Sequence, residues 1–339
     1  MLKSKYQRVF FHALTFTFPR KDLTMEPWMY VLIAVAALIF LVLLIAFVCF
    51  RLTFYSPKRK APKDDVIEIP EGEIYEEYRD VIENWIRSVR ATPYEAVSIK
   101  SFDGLTLRGK YYEYKPGAVT EILFHGYRGT AERDLCGGVE RCFALGRNAL
   151  IVDQRASGDS DGHVITFGIK ECRDCLAWVD FVINKFGKDT RIILTGISMG
   201  ASTVLMASGE ELPSNVVCTL ADCGYSSPRA IIRKVMKQMK LPVNFFYPFV
   251  KLGARIFGGF SLESNSPIEA MRRCKIPVIF VHGDNDDFVP YEMSKEMYEA
   301  CAAPKKLLTV KGAGHGLAFP ADKESYLREV KDFEKVWNV

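Results

Sequence analysis

Gly196-Ile197-Ser198-Met199-Gly200 carries the residue types and spacing that a serine nucleophile needs. The run before it, Asp189 to Thr195, reads as a buried strand, and Ala201 to Ser208 reads as a helix. G-x-S-x-G between a strand and a helix demands a turn so tight that only small residues fit on either side of the serine. The hydroxyl is then held above the sheet edge, and the next backbone N–H, that of Met199, points to where an oxyanion would form. The same pentapeptide also arises as an ordinary strand-to-helix turn, so the rest of the chain has to supply a base and an acid.

A serine hydroxyl is a weak nucleophile until a base takes its proton. The chain offers five histidines: His12, His125, His163, His282 and His315. His12 precedes a long apolar run and is excluded by position. His125 and His282 each end an apolar strand before a glycine and read as turn-formers, and His163 lies in a polar loop. His315 sits in Gly312-Ala313-Gly314-His315-Gly316, just after the last strand, where flanking glycines let a loop present an imidazole with little hindrance. The expected base is therefore His315. The acid that orients it has several candidates: Asp284, Asp286 and Asp287 after the strand Pro277 to Val281, and Asp222 after an earlier strand.

The elements that must position these residues alternate along the chain. An apolar stripe at Tyr75, Tyr78, Ile82, Trp85 and Val89 predicts a helix. Strands follow at Ala96 to Lys100 and Thr106 to Tyr112, around the turn Asp103-Gly104, and at Ile122 to Phe124. Then come a helix from Arg133 to Leu145, a strand from Ala149 to Val152, and a helix over Cys172 to Lys185. Strands at Arg191 to Leu194, Val216 to Ala221, Pro277 to Val281 and Lys306 to Val310 precede a final helix from Ala321 to Val336. This alternation predicts an α/β fold, a mostly parallel sheet covered on both faces, with the site at the carboxyl ends of the strands.

In its motifs and their order the chain resembles the α/β-hydrolase superfamily, in its esterase, lipase and acyl-peptidase branch. The segment His282-Gly283-Asp284-Asn285-Asp286-Asp287-Phe288-Val289-Pro290 is similar to the family's H-G-x-x-D-x-x-V-P, which puts the acid on Asp286. His125-Gly126-Tyr127 resembles the oxyanion turn and implies that Tyr127 supplies the second N–H beside Met199. Asp153 to Gly162 looks like the D-x-R-x-x-G-x-S-x-G loop that braces the site. The order Ser198, Asp286, His315 is the one this fold uses. The resemblance covers Ser98 to the C-terminus. It implies an α/β-hydrolase fold with a short helical lid, and a serine hydrolase that cleaves carboxylic esters without cofactor or metal. Peptidase and thioesterase chemistry use the same residues, and a catalytically silent lipid-binding or scaffold protein can share the fold.

The chain is also expected to carry an anchor. Trp28 to Phe50 is uncharged and almost wholly apolar, long enough to cross a hydrocarbon core of about 30 Å. It lacks the polar face of a buried core helix and the small-x-small site that follows a cleaved signal. The organisation expected is an N-terminal segment at 1–27, a transmembrane helix at 28–50, a linker at 51–73 and a hydrolase domain at 74–339 with a lid at 229–274. Met25 is a candidate start. Arg51, Lys58, Arg59, Lys60 and Lys63 crowd the C-terminal flank of the apolar run, which favours a cytoplasmic hydrolase domain. Nine cysteines, odd in number and without a framework, agree with a reducing compartment. Cys172-x-x-Cys175 has no partner pair, and its spacing fits one helix face. A net charge of +4 and the lack of zinc-finger or helix-turn-helix spacing argue against nucleic acid.

The expected lid has one further feature. From Arg229 to Leu262 it carries seven basic residues and no acidic one, interleaved with aromatics such as Phe245, Tyr247 and Phe260. Two readings stand: helices packed over the site with a solvated basic edge, or a surface that meets anionic lipid and admits amphiphilic acyl substrates. The expected orientation has a direct check. Protease added to intact cells should spare residues 74–339 and cut them only after permeabilisation; removal of the domain from intact cells would reverse the assignment.

Overall fold

A computed structural model describes residues 26–57, 66–70 and 72–337. Most of the N-terminal segment, Met25 and the basic residues Lys58, Arg59, Lys60 and Lys63 lie outside the described residues. The chain divides between Leu44 and Ile45 into two compact units. The first contains the greater part of helix α1 (Pro27–Thr53), which is long and apolar enough to cross a membrane; nearly all of its side chains up to Leu44 are exposed.

The second unit starts with the last turns of α1 and a 3₁₀ turn at Glu73–Tyr78, followed by α2 (Arg79–Ala91). Next come β1 (Glu95–Lys100), β2 (Thr106–Tyr112), β3 (Thr120–Phe124), α3 (Ala131–Ala144), β4 (Asn148–Asp153) and α4 (Glu171–Phe186). They are followed by β5 (Ile192–Ile197), α5 (Met199–Ser208), β6 (Val216–Asp222), α6 (Pro228–Gln238), α7 (Val243–Ile256) and α8 (Pro267–Met271). The unit closes with β7 (Val278–Gly283), α9 (Tyr291–Ala300), β8 (Lys305–Val310), α10 (Ala318–Ala321) and α11 (Lys323–Trp337).

The eight strands form one sheet in the order β1-β2-β4-β3-β5-β6-β7-β8. β2 pairs antiparallel with β1 and β4, and every pairing from β4 through β3 to β8 is parallel. β3 and β4 are buried on both faces because alternate residues enter separate cores. Ile122 and Phe124 pack with Leu150, Leu194 and Trp178 on the α4–α5 side. Leu123 packs with Ile151, Leu135, Val139 and Ile86 on the α2–α3 side. α11 covers the same side beyond β5 through Tyr326, Val330 and Phe333.

Two differences from the sequence reading matter. The stripe from Tyr75 is not one helix: a 3₁₀ turn leads into α2, and Ile74 and Tyr75 lie in that turn. The expected anchor ends at Phe50, whereas α1 runs on to Thr53, and Tyr55 then pairs with Val164 outside the main sheet. Ala46, Phe50 and Phe54 recur every fourth residue, so they form one helix-spaced stripe, and all three are buried in the second unit. Phe50 and Phe54 share a core with Phe167 and with Val250 and Ala254 of α7. Residues 51–57 therefore belong to the folded unit rather than to a free linker.

Gly253 on α7 makes this packing close. A Cβ there would lie 2.5 Å from the carbonyl oxygen of Ala46 and 3.0 Å from Phe50 Cβ. Gly253→Val should force α7 from the helix end and destabilise the second unit by about 1–3 kcal/mol. The expected fall in Tm is roughly 2–4 °C per kcal/mol. Thermal unfolding of the full-length protein in detergent measures it, and an unchanged Tm would mean that α7 does not depend on this contact.

Candidate active site

The parallel strands deliver their carboxyl ends to one edge of the sheet, where β5 turns sharply into α5. Ser198 has φ 57° and ψ −118°, a sparsely populated conformation for a side-chain-bearing residue. The turn closes because its flanking positions lack side chains. A Cβ on Gly196 would come within 2.2 Å of Gly200 backbone, and one on Gly200 within 2.0 Å of the Phe124 carbonyl oxygen. Ser198 N–H donates to the Asp222 carbonyl at 2.8 Å, which ties the turn to β6.

Ser198 Oγ lies 2.9 Å from Nε2 of His315, and Nδ1 of that ring lies 2.7 Å from Oδ2 of Asp286. Oδ1 of Asp286 accepts from the N–H groups of Phe288, at 2.9 Å, and Val289, at 2.8 Å. His282 Nε2 faces Asp286 Oδ2 at 3.1 Å and the Val289 carbonyl at 2.9 Å. Two acceptors at one nitrogen require that it carry the proton, so Nδ1 accepts from the Ser294 hydroxyl at 2.6 Å. Burial opposes charge on Asp286, but the hydrogen bonds from His282 and His315 outweigh it and hold the carboxyl well below the usual carboxylate range.

The other candidates fall elsewhere. Asp284 and Asp287 are exposed, and Asp284 accepts from the Gly312 N–H at 2.6 Å, which braces the loop carrying His315. Asp222 is buried, and its Oδ1 has no hydrogen-bond partner among the described residues. Burial pushes its carboxyl up to about 6. His163 stacks on Tyr55, and His125 accepts from Gln154 N–H at 3.0 Å beneath the turn that follows β3. His12 is outside the described residues.

That turn places Gly126 against the serine: a Cβ on Gly126 would be 3.5 Å from Ser198 Cβ. Gly126 N–H donates to Asp134 Oδ2 at 3.1 Å, so α3 holds one side of the turn that carries Tyr127. Met199 is buried at the first position of α5. The Asp153–Gly162 loop is held from within. Asp153 accepts from Ala131 N–H at 2.8 Å and from Asp159 N–H at 3.1 Å, while Arg155 bonds Asp174 at 2.7 Å and Asp103 at 2.9 Å.

A cavity of about 600 Å³ opens beside Ser198 and His315. Ile74, Trp85, Leu123, Leu135, Phe288 and Phe319 give it mostly apolar walls, and Arg141 and Asp222 reach its inner end. Tyr75, from the 3₁₀ turn, covers the site and donates its hydroxyl to the His315 carbonyl at 3.0 Å. Sequence reasoning missed Tyr75, His282 and Asp134 as supports of the site. The four-residue spacing from His282 to Asp286 was the one available signal.

Among the described residues, Cys223, Asp286 and His315 alone group their donor atoms closely enough for a metal, within 4.8 Å. Asp286 and His315 are already bonded to each other, and burial pushes the Cys223 thiol well up, so the trio is a poor metal ligand set. All nine cysteines are free, and Cys172 and Cys175 are buried on α4. The lid region forms α6, α7 and α8. Its basic residues are partly committed: Lys251 bonds Glu263 at 2.6 Å, Arg229 lies 3.8 Å from the same carboxylate, and Lys234 donates to the Phe288 carbonyl at 2.8 Å. Tyr247 and Phe260 are buried, whereas Phe245 is exposed.

Comparison with known proteins places this geometry. A family model described as the prolyl oligopeptidase family matches residues 166–337. The YqkD protein of Bacillus subtilis, itself uncharacterized, is 25% identical over 306 residues, which span 89% of this chain and 96% of YqkD. The Pyrococcus furiosus esterase Pf2001 superposes with a TM-score of 0.62 at 25% identity, over 84% of this chain and 98% of that one. The acylaminoacyl peptidase of Pyrococcus horikoshii shares the fold, with a TM-score of 0.54 at 16% identity over 74% of this chain and 43% of that one. The architecture is the α/β-hydrolase fold.

Asp222 and Asp286 can be separated experimentally. Asp222 has a raised pKa in the folded state, so the unfolded chain ionises first as pH rises. Wild type should lose stability between about pH 4 and 6 relative to Asp222→Asn, by roughly 1–3 kcal/mol in all. Turnover should fall far more in Asp286→Asn than in Asp222→Asn. Urea unfolding of both proteins across that range, with kcat measured alongside, tests both statements. Equal losses of turnover would reopen the choice of acid.

Proposed function

The chain belongs to the prolyl oligopeptidase family, and from that premise we propose that this serine hydrolase is a membrane-anchored enzyme that cleaves carboxylic esters through Ser198, His315 and Asp286. The observation that carries the reading is the hydrogen-bonded series from Ser198 Oγ through the His315 ring to Asp286, at the mouth of an apolar cavity.

In the proposed cycle an ester carbonyl lies over Ser198, with its acyl part in the cavity. Ser198 Oγ attacks the carbonyl carbon while its proton passes to His315 Nε2. Asp286 keeps the Nδ1 proton of the imidazole in place and stabilises the imidazolium. The backbone N–H groups of Tyr127 and Met199 hold the tetrahedral oxyanion. The C–O bond to the alcohol breaks, and His315 returns the proton to that leaving oxygen. Water, deprotonated by the same nitrogen, then attacks acyl-Ser198, and the carboxylic acid departs as Ser198 recovers its proton.

Esters are favoured by the predominantly apolar cavity and by the likeness to an esterase at 25% identity. Aminoacyl amides form the second reading, favoured by the family match itself. The exposed apolar length of α1 supports a membrane anchor, and the mixed apolar and basic lid is compatible with lipid-like substrates.

Ser198→Ala in the full-length protein should lower ester turnover by roughly 10³-fold or more and abolish labelling by a fluorophosphonate. Retained turnover would remove the nucleophile assignment, and an unlabelled wild type would favour a silent scaffold. Specificity for 4-nitrophenyl esters should rise by about fourfold per added methylene until the cavity is full. Faster cleavage of an aminoacyl amide than of any ester would favour the peptidase reading.

A further inference from the structure

The last carbonyls of a helix have no partner within the helix and must find donors elsewhere. At the end of α1, which lies in the second unit, those donors are the side chains of the turn beside Ser198. The Tyr127 hydroxyl donates to the Thr53 carbonyl at 2.8 Å. Nη2 of Arg128 donates to the Leu52 carbonyl at 2.9 Å and to the Tyr55 carbonyl at 3.2 Å. The two side chains also support each other, with the Arg128 guanidinium 5.0 Å from the centre of the Tyr127 ring. Arg128 has φ 54°, a left-handed conformation that costs energy in a non-glycine residue and persists only where surrounding contacts hold it.

The helix end is itself fixed. Phe54 is fully buried and meets Phe167 and Phe260 edge to face at 5.7 and 5.2 Å. Its carbonyl accepts from Ile165 N–H at 2.8 Å, and Ser56 N–H donates to the His163 carbonyl at 2.9 Å. The turn is thus held on one side by Asp134 of α3 through Gly126 and on the other by the end of α1 through Tyr127 and Arg128.

We propose that the Tyr127 and Arg128 side chains are positioning residues that fix the Tyr127 N–H by hanging the turn on the carbonyl end of α1. This rests on the reading above, in which that N–H receives the oxyanion. An oxyanion donor acts on the transition state and hardly on the ground state. Loosening it lowers kcat and weakens binding of a tetrahedral analogue while leaving KM in place. A bond that only caps the helix would change stability alone.

The test uses the full-length protein in detergent, with Tyr127→Phe and Arg128→Met. Tyr127→Phe keeps the ring and the N–H and removes only the hydroxyl. Each variant should lose about tenfold or more in kcat, a fraction of the roughly 10²–10³-fold effect of deleting an oxyanion donor. KM for a short ester should stay within about twofold. The inhibition constant for phenylboronic acid should rise by the same factor as kcat falls, because its tetrahedral adduct puts an oxygen where the oxyanion sits. Wild-type kcat in a folded Tyr127→Phe, or a lower Tm with unchanged kcat and boronate affinity, would overturn the proposal. Ser198→Ala separates the two claims: if it stays active the triad reading fails, and if it is dead while both variants match wild type, only the coupling to α1 fails.

Discussion

The backbone of Ser198 is the constraint around which the rest is arranged. A serine at φ 57° is strained by about 1–3 kcal/mol, and only packing that leaves no alternative keeps it there. That packing comes from three strands at once. β3 brings the Phe124 carbonyl against Gly200, β5 carries Gly196 one residue before its end with no room for a side chain, and β6 accepts the serine N–H at Asp222. Antiparallel neighbours would carry adjacent chain ends to opposite edges. Parallel pairing of these strands brings all three carboxyl ends to one edge, and the site is possible only there.

Behind this edge the chain places charge where charge is costly. Glu121 on β3 is fully buried, yet its carboxyl is pushed down to about 2: burial opposes ionisation, and the charges of Arg141 and Arg147 overcome it. Arg141 bonds it at 2.6 Å, the Thr195 hydroxyl donates at 2.9 Å, and Arg147 also reaches Glu334 of α11. Arg155 does similar work between Asp174 and Asp103, joining α4 to the β1–β2 turn. Such buried pairs add little net stability. Their geometric demand is strict, since removing one partner strands a buried charge. α3, α4 and α11 are thereby keyed to particular places on the sheet.

The proposed acid is organised in the same way. Asp286 is gripped by two backbone N–H groups and by His282, so its carboxylate faces His315 without freedom to rotate. The His315 backbone is fastened from outside by Tyr75, which couples the 3₁₀ turn over the cavity to the proposed base below it. Apolar walls on one side of the serine and fixed polar groups on the other are what a site for an acyl carbonyl requires.

Much of this was legible in the chain. Short apolar strands alternating with helices defined a parallel sheet, and the glycines around Ser198 and His315 marked turns that only small residues can make. These are local signals, because periodicity and steric need are properties of neighbouring residues. The triad acid was narrower than composition allowed: only the resemblance preferred Asp286 over Asp284, Asp287 and Asp222, which are equivalent as carboxylates. The folded chain distinguishes them by surroundings, since Asp222 Oδ1 has no hydrogen-bond partner among the described residues while Asp286 meets two histidines. His282 read as a turn-former because its four-residue spacing to Asp286 does not by itself say that its ring points there. The end of α1 read as a linker because Arg51 interrupts the apolar run and a proline and basic residues follow, whereas the pocket of Phe54 is built by Phe167 and Phe260, more than a hundred residues away. Sequence by itself determined the turns, the periods and the set of reactive residues. Which carboxylate faces His315, which histidine braces it and where the helix end docks were decided by tertiary structure, because desolvation and hydrogen-bond pairing depend on neighbours in space.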